Sequence, residues 1–208
     1  RQRQMCIRDR MLVSETVRGE GAILVNQQGE RFYNELETRD NVSAAITALP
    51  ESYAYLIFDD ALAGRAKQVD FYKEQGVVVE ADTIEALAKK IDMDADTLAK
   101  TLDTWNQSVK DKKDEAFGRE TAMDYDLTTG PYYAIKIAPG IHHTMGGVKI
   151  NTNTQVLKKD GSVIDGLYAA GEVTGGIHGQ NRIGGNAVAD IMVFGRQAGV
   201  QASEYAKK

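Results

Sequence analysis

A glycine-dense stretch near the end of the chain has the composition of a ligand-binding loop. Residues 166–186 read GLYAAGEVTGGIHGQNRIGGN, which predicts a strand end, a loop and a helix that begins at about Asn186. Glycine lets a backbone approach a flat ligand closely, and the free amides at a helix start attract an anion. The stretch therefore predicts a site for a flat or anionic ligand. A glycine-rich turn between a strand and a helix is the alternative.

Arginine and histidine side chains are the other candidates for chemistry. The residues alone predict that Arg39 is a surface ion-pair partner. Taken alone, Arg182 could be structural. His142 and His143 suggest a metal pair, but adjacent side chains of a strand point to opposite faces, so we expect no metal site. The single cysteine, Cys6, can form no internal disulfide.

Composition excludes several classes of protein. The 208 residues are 42% hydrophobic, enough for a folded core, and carry a net charge of −5 without a basic stripe. We therefore expect no nucleic-acid partner. No apolar run approaches the roughly 20 residues that span a bilayer, so we expect no membrane span. The compartment stays unknown.

Hydrophobic patterns predict the elements of the first part of the chain. Residues 21–34 have the spacing of a hairpin with its turn at Gly29, and residues 53–58 form an apolar run typical of a buried strand. Two helices follow, capped by Thr83 and Asp94. Their apolar positions are Ile84, Leu87, Ala88, Ile91, Leu98, Leu102, Trp105 and Val109. The charged run 110–115 is interpreted as a solvated face or loop.

A change of composition predicts a second unit after a boundary near Pro139-Gly140. Strands are expected at residues 132–137, 147–150 and 163–168, and a helix at 186–208. The buried side of that helix is expected to include Val188, Ile191, Met192, Gly195 and Gly199. Residues 1–10, with four arginines and no apolar period, are interpreted as an extraneous leader.

Several motifs in fixed order resemble the flavocytochrome c fumarate reductases and their relatives in the fumarate reductase and succinate dehydrogenase flavoprotein family. In the second part they are GIHHTMGG (140–147), GLYAAGEVTGG (166–176) and HGQNRIGGNA (178–187). In the first part they are SETVRGEG (14–21) and GERFYNELETRD (29–40). The resemblance covers about residues 11–208.

The resemblance implies an α/β fold with FAD as cofactor, and it divides the chain into two regions. Residues 11–141 would form an α+β capping (clamp) domain on the substrate side, and residues 142–208 the C-terminal part of a Rossmann-like FAD-binding domain. The sequence lacks the G-x-G-x-x-G motif of that domain. We therefore expect a fragment of a longer flavoprotein, with non-covalent FAD whose adenine and pyrophosphate site lies upstream.

The resemblance also assigns residue roles in the reduction of fumarate to succinate. Arg39 would protonate the substrate carbon, with Glu15 and Arg18 as its proton relay. Because the free pKa of arginine is above about 12, such an acid needs a dry, cationic setting and a short relay. Ser14, Glu15, His142 and Arg182 would bind the dicarboxylate substrate.

Cofactor contacts follow from the same resemblance. Glu172 would bind the sugar-alcohol chain of FAD, and Ala187 and Val188 would offer backbone amides to its ring. His178 either packs against the flavin or is a hydrogen-bonded loop histidine. Arg31 is expected to be structural and to brace the hairpin.

Alternatives remain open at this point. A related 2-enoate reductase, acting on urocanate or on acrylate-like or cinnamate-like acids, would use the same scaffold. A flavin-associated fragment without turnover is a second alternative, and a ketosteroid dehydrogenase is a third. The electron donor, whether a haem domain, an FMN domain or another reductant, is expected outside this chain.

Overall fold

The computed structural model describes residues 2–6, 11–179 and 181–207. The side chains of residues 2–6 and of His142 lie outside this description. The contact pattern divides the chain into two compact units. The larger unit is Gln4–Gly140, and the smaller is Ile141–Lys208 with Arg1–Arg3.

The described residues mix helices with antiparallel strands, which confirms the α/β class. The strands are β1 (Gln2–Cys6), β2 (Ile23–Val25), β3 (Ala54–Asp59), β4 (Val78–Ala81), β5 (Tyr132–His143), β6 (Gln155–Leu157) and β7 (Val163–Tyr168). The helices are α1 (Thr16–Gly19), α2 (Arg39–Ala48), α3 (Asp60–Arg65), α4 (Gln68–Glu74), α5 (Ile84–Lys90), α6 (Ala95–Asp111) and α7 (Asn186–Tyr205). A 3-10 turn covers Gly171–Val173.

A five-stranded sheet with the order β1-β5-β3-β2 organises the larger unit, and β4 also pairs with β5. The central strand β3 runs antiparallel to both neighbours, with Leu56 opposite Leu24 on one side and Ile135 on the other. Five of the six residues of β3 are buried, as expected for an apolar run between two strands. This confirms the strand predicted from residues 53–58.

The capping residues and apolar seams of α5 and α6 confirm the two predicted helices. Thr83 Oγ1 accepts the N–H of Ala86 at 3.2 Å, and Asp94 Oδ1 accepts that of Thr97 at 2.8 Å. Each cap satisfies an amide that has no partner within the helix. The seam of α6 is buried at Leu98, Leu102, Trp105 and Val109. Helices α2, α3 and α4 and strand β4 were not predicted.

The predicted hairpin at residues 21–34 is half right. Its first strand is β2, and the turn closes where Asn26 N–H donates to Glu30 O at 2.9 Å. The second strand is wrong, because the return segment makes only one isolated bridge, between Val25 and Arg31. The chain then leaves the sheet through a turn in which Asn34 Oδ1 accepts the N–H of Leu36 at 3.0 Å.

In the smaller unit, β6 and β7 form an antiparallel pair, and α7 contacts β7 and the 3-10 turn. The strand predicted at residues 163–168 is confirmed as β7. The strand predicted at 147–150 is wrong. Val148 bridges Thr174 in parallel whereas Ile150 bridges Val156 antiparallel, so the segment makes single bridges to two different partners.

The buried face predicted for α7 is also wrong. Val188, Ile191 and Met192 are 62%, 52% and 68% exposed, and among the described residues of the helix only Asp190 is buried. An apolar face is buried only where another layer covers it, and the described part of the smaller unit packs on the helix from one side. No helix of the described chain has both the length and the apolar character that crossing a bilayer requires.

Candidate functional site

Arg39 occupies the first position of α2, and this helix start fixes its backbone. Its Nη2 forms an ion pair with Oε1 of Glu15. The side chain of Arg39 is 16% exposed and that of Glu15 is 43% exposed, so solvent reaches the pair mainly from the glutamate side. Arg39 therefore does form an ion pair, and its partner, Glu15, is a residue of the expected proton relay.

Arg18 lies beside this pair and is buried in the short helix α1. Burial lowers the pKa of Arg18 to about 10, the charges of Glu15 and Glu35 oppose this effect, and that of Arg39 adds to it. These interactions place Arg18, Glu15 and Arg39 in one electrostatic group. A guanidinium with a lowered pKa releases a proton more readily than one in water.

Ser14 precedes Glu15 and is held by a tyrosine that the sequence did not single out. The N–H of Ser14 donates to Tyr72 Oη at 3.0 Å, and Tyr72 Oη donates to Ser14 Oγ at 3.4 Å. Tyr72 is a buried residue of α4. Because α4 is short and was not predicted, no sequence signal pointed to this contact.

Beneath Arg18 lies a buried charge cluster that consists of Arg31, Glu35, Asp114 and Arg119. Arg31 Nε donates to Glu35 Oε1 at 2.8 Å, and its Nη2 donates to Asp114 Oδ2 at 2.8 Å. Arg119 Nη1 donates to Glu35 Oε2 at 3.2 Å. Both guanidiniums also lie over the ring of Trp105, at 4.8 and 4.5 Å from its centroid. The cluster ties the turn after β2 to α6 and to the segment that follows it.

The sequence had assigned two members of this cluster differently. Arg31 was expected to brace the hairpin, and it instead bridges Glu35 to Asp114. The charged run 110–115 was interpreted as a solvated face or loop, and its other residues are exposed, but Asp114 is only 5% exposed. Burial raises the pKa of Asp114, and the hydrogen bonds and charge of Arg31 outweigh it and hold that pKa below its usual value.

In the smaller unit, Glu172 joins two of the sequence motifs. Its Oε1 accepts the N–H of Thr144 at 3.0 Å, and its carbonyl oxygen accepts the Thr144 hydroxyl at 3.0 Å. Thr144 belongs to the HHTMGG motif and Glu172 to the EVTGG motif. The structure therefore shows Glu172 as a link between the two motif segments.

Glycines allow these two segments to touch. A Cβ atom added to Gly147 would lie 1.8 Å from the carbonyl oxygen of Val173, and one added to Gly175 would lie 2.8 Å from the nitrogen of Gly147. The N–H of Val148 donates to Val173 O at 2.9 Å, and that of Gly175 donates to Val148 O at 3.0 Å. Side chains at Gly147 or Gly175 would break this contact.

Glycines recur between this contact and the start of α7. At Gly176, Gly179 and Gly185 φ is positive and an added Cβ would meet nothing within 4 Å. The N–H of Val188, which was expected to be offered to the flavin ring, instead donates to Gly185 O at 2.9 Å. Ala187 lies in the first turn, where amides lack partners within the helix. A loop with several glycines that ends at the free amides of a helix start fits a flat, anionic group such as a flavin ring.

The smaller unit also contains the histidines and the arginine that the sequence analysis singled out. His178 Nε2 lies 3.0 Å from Asp190 Oδ2, and the ring of His143 meets that of His178 edge-on at 5.3 Å. The ring of His178 is therefore held in place by Asp190. Arg182 is buried, and its Nη1 donates to Ile183 O at 3.0 Å. The side chain of His142 lies outside the described part of the chain.

The described residues contain no group of three or more histidine, cysteine, aspartate or glutamate side chains that could hold an ion. His142 and His143 are consecutive in β5, the arrangement that prompted the expectation of no metal pair.

Known proteins with similar sequences include two oxidoreductases. An NADH:fumarate oxidoreductase from Klebsiella pneumoniae (strain 342) is 56% identical over 94% of this chain and 21% of its own length. An NADH:acrylate oxidoreductase from Vibrio harveyi is 40% identical over 93% of this chain and 20% of its own length. The chain thus spans about a fifth of each of these relatives.

A solved structure and a family model extend the likeness to the fold. The open conformation of a flavocytochrome c3 fumarate reductase matches with a TM-score of 0.84 and 51% identity, over 100% of this chain and 37% of that chain. The family model described as an FAD binding domain matches residues 2–188. Because this match covers most of the sequence, the chain belongs to the FAD binding domain family, and its relatives are oxidoreductases.

Proposed function

We propose that this chain is the C-terminal portion of a longer flavoprotein that reduces fumarate to succinate. The observation that carries the proposal is the ion pair of Arg39 with Glu15 beside the buried Arg18. Reduction of an alkene consumes one hydride and one proton, so the protein must supply a proton donor that is refilled after each turnover. The identity to fumarate-reducing relatives supports the substrate class.

Arg39 is the proposed proton donor of the reaction. When bound and reduced by the external electron donor, FAD would supply the hydride, and Arg39 would donate a proton to the neighbouring substrate carbon. Arg18 regains its proton from solvent in each turnover. Neutral Arg39 regains a proton through Glu15, whose carboxylate must first receive that proton from Arg18. The lowered pKa of Arg18, about 10, suits this last transfer because its proton is held less firmly than that of an ordinary arginine.

Substrate and cofactor roles are proposed for the remaining residues. Arg182 and His142 would bind one carboxylate of the substrate, and Ser14 and Glu15 would bind near the other carboxylate. The planar fork of donors in arginine matches a carboxylate in a bidentate arrangement. Glu172 and the amide of Ala187 would hold FAD, the former through its sugar-alcohol chain.

Further FAD contacts are proposed from the same segment. The backbone of Val188 lines the ring, and His178, fixed by Asp190, borders it. FAD is bound without a covalent link, and its adenine and pyrophosphate end is held by residues outside this chain. Precipitating the protein with acid should release all of the flavin into the supernatant. Flavin that stays with the pellet would contradict non-covalent binding.

Arg39→Gln in the FAD-loaded full-length protein tests the proposal. Reduced methyl viologen would serve as electron donor, so that the assay does not depend on whether the natural donor is a haem domain, an FMN domain or another reductant. We expect the rate of fumarate-dependent oxidation to fall by about 10²- to 10⁴-fold, the usual contribution of a general acid. Flavin absorbance should stay unchanged.

Arg65→Gln is the matched control, because Arg65 also faces a glutamate, Glu20, at 3.7 Å but stands at a more exposed position of the same unit. It should keep the wild-type rate. A wild-type rate in Arg39→Gln would refute the assignment of the acid. An FAD-loaded wild-type protein that does not oxidise the viologen with fumarate would refute the proposed function.

A related 2-enoate reductase is the second candidate, and the identity to the acrylate oxidoreductase favours it. Fumarate has two carboxylates and acrylate has one, so kcat/KM for the two acids measures how much the second carboxylate contributes. Fumarate should exceed acrylate, urocanate and cinnamate in kcat/KM. A higher value for one of these acids would assign that substrate instead.

A further inference from the structure

Glu35 is a fully buried carboxylate with no part in the proposed proton path. Its Oε1 accepts hydrogen bonds from Arg31 Nε at 2.8 Å and from the N–H of Leu24, in β2, at 3.2 Å. Its Oε2 accepts from Arg31 Nη2 at 2.9 Å and from Arg119 Nη1 at 3.2 Å. Because donors reach it from three parts of the chain, the side chain is confined to one position.

The backbone of Glu35 contacts Arg18 and lies shortly before Arg39 in the sequence. Its carbonyl oxygen accepts a hydrogen bond from Nη1 of Arg18. Arg39 follows in the same segment, where α2 begins, and pairs there with Glu15. A displacement of Glu35 would therefore move the acceptor of Arg18 and the segment that carries Arg39 at the same time.

The charge of Glu35 matters to Arg18 as well. Burial lowers the pKa of Arg18, the charges of Glu15 and Glu35 raise it, and those of Arg39 and Arg119 lower it. Without the carboxylate of Glu35, Arg18 would face two cations and one anion. Its protonated form would then be less stable.

We propose that Glu35 is a positioning residue of the proton relay, which fixes Arg18 through its carbonyl oxygen and anchors the segment of Arg39 through its buried carboxylate. The inference rests on the proposed function, since it concerns how Arg39 is refilled with protons. Glu35 itself exchanges no proton with the substrate.

Glu35→Gln in the FAD-loaded full-length protein tests the inference, because glutamine keeps the shape and removes the charge. We expect kcat to fall by about 10-fold or more while KM for fumarate changes by less than about 2-fold, since reprotonation and not substrate binding is affected. The basic limb of the kcat–pH profile should move down by about 1 pH unit, because a less stable protonated Arg18 loses its proton at lower pH. The solvent deuterium isotope effect on kcat should rise.

Asp114→Asn is the matched control. It also removes a carboxylate from the buried charge cluster, but Asp114 bonds to Arg31 and not to Arg18. It should keep the wild-type kcat and pH profile. The inference is wrong if Glu35→Gln and Asp114→Asn lower kcat equally and leave the basic limb in place, which would indicate a structural role alone.

Glu35→Asp covers the case in which Glu35→Gln does not fold. Aspartate keeps the charge and shortens the side chain, so we expect a lowered kcat with the basic limb close to that of wild type. A wild-type kcat in Glu35→Asp would overturn the positioning role. Failure of the proposed function is separate, because it shows as a wild-type protein that is inactive with fumarate.

Discussion

Arg119→Met should strongly destabilise the larger unit. Arg119 is 1% exposed. Besides Glu35, its guanidinium donates to four carbonyl oxygens, at 2.9 to 3.1 Å. They belong to Arg18, Ala22, Thr121 and Ala122. Methionine fills a similar volume but offers no donor, so these acceptors and the carboxylate lose a partner in the protein interior.

The magnitude follows from the contacts that disappear. Removing one member of a buried ion pair costs about 3–5 kcal/mol, because the other charge stays buried without compensation. Glu35 keeps the two hydrogen bonds from Arg31, which offsets part of this cost. The orphaned carbonyl groups add to it. We therefore expect the free energy of unfolding to fall by about 3–5 kcal/mol, a large fraction of the 5–15 kcal/mol that is usual for a domain.

Urea unfolding followed by tryptophan fluorescence measures this change directly. Trp105 is the only tryptophan in the sequence, and Arg119 lies over its ring at 4.5 Å, so the signal reports on the cluster itself. Arg65→Met is the control. Arg65 also contacts carbonyl oxygens and the ring of Tyr125, but it is partly exposed, and we expect a cost below about 1 kcal/mol.

The reasoning fails if Arg119→Met costs no more than Arg65→Met. The double variant Glu35→Gln with Arg119→Met provides a second check. Because it removes both partners of the ion pair, its cost should be smaller than the sum of the two single costs by about 0.5–3 kcal/mol. Additive costs would show that the two side chains do not interact.

Two further predictions concern pH and backbone contact. Asp114→Asn should lower the free energy of unfolding by about 1–3 kcal/mol at pH 7, because Asp114 loses its charge-assisted bonds to Arg31. The pKa of Asp114 is lowered in the folded protein, so its contribution is full above the ordinary aspartate pKa of about 3.9 and is lost as pH falls through the folded value. Unfolding of both proteins from pH 7 to pH 3 should show the difference shrinking, and a constant difference would contradict this. Gly147→Ala should lower the melting temperature sharply, since its Cβ would lie 1.8 Å from Val173 O, whereas Gly195→Ala in α7, where a Cβ meets nothing within 4 Å, should leave it equal or raise it.

Local sequence patterns determined the elements whose signals lie within a few residues of one another. The caps at Thr83 and Asp94 and the apolar seam of α6 are of this kind. A cap needs only an acceptor beside a free amide, so it can be read directly from the sequence. Helix α2 was missed because its buried residues do not form a long apolar stripe, although it positions Arg39.

The sequence motifs identified the family and singled out Ser14, Glu15, Arg18 and Arg39. They did not predict the contacts among these residues. The contact of Tyr72 with Ser14 could not be predicted, because a tyrosine in a short helix resembles an ordinary core residue in the sequence. The roles of the catalytic, substrate and cofactor residues stay predictions.

Through the resemblance of its motifs to a known family, the sequence indicated the α/β class and the family, because those motifs are short stretches of consecutive residues. Only the tertiary structure decided which charges are buried together. Asp114 and Arg119 are distant from Glu35 along the chain and resemble solvated residues, yet all three lie in the interior. A charge is stable there only when the fold brings its counter-charge and hydrogen-bond partners to it, and no local pattern encodes that meeting.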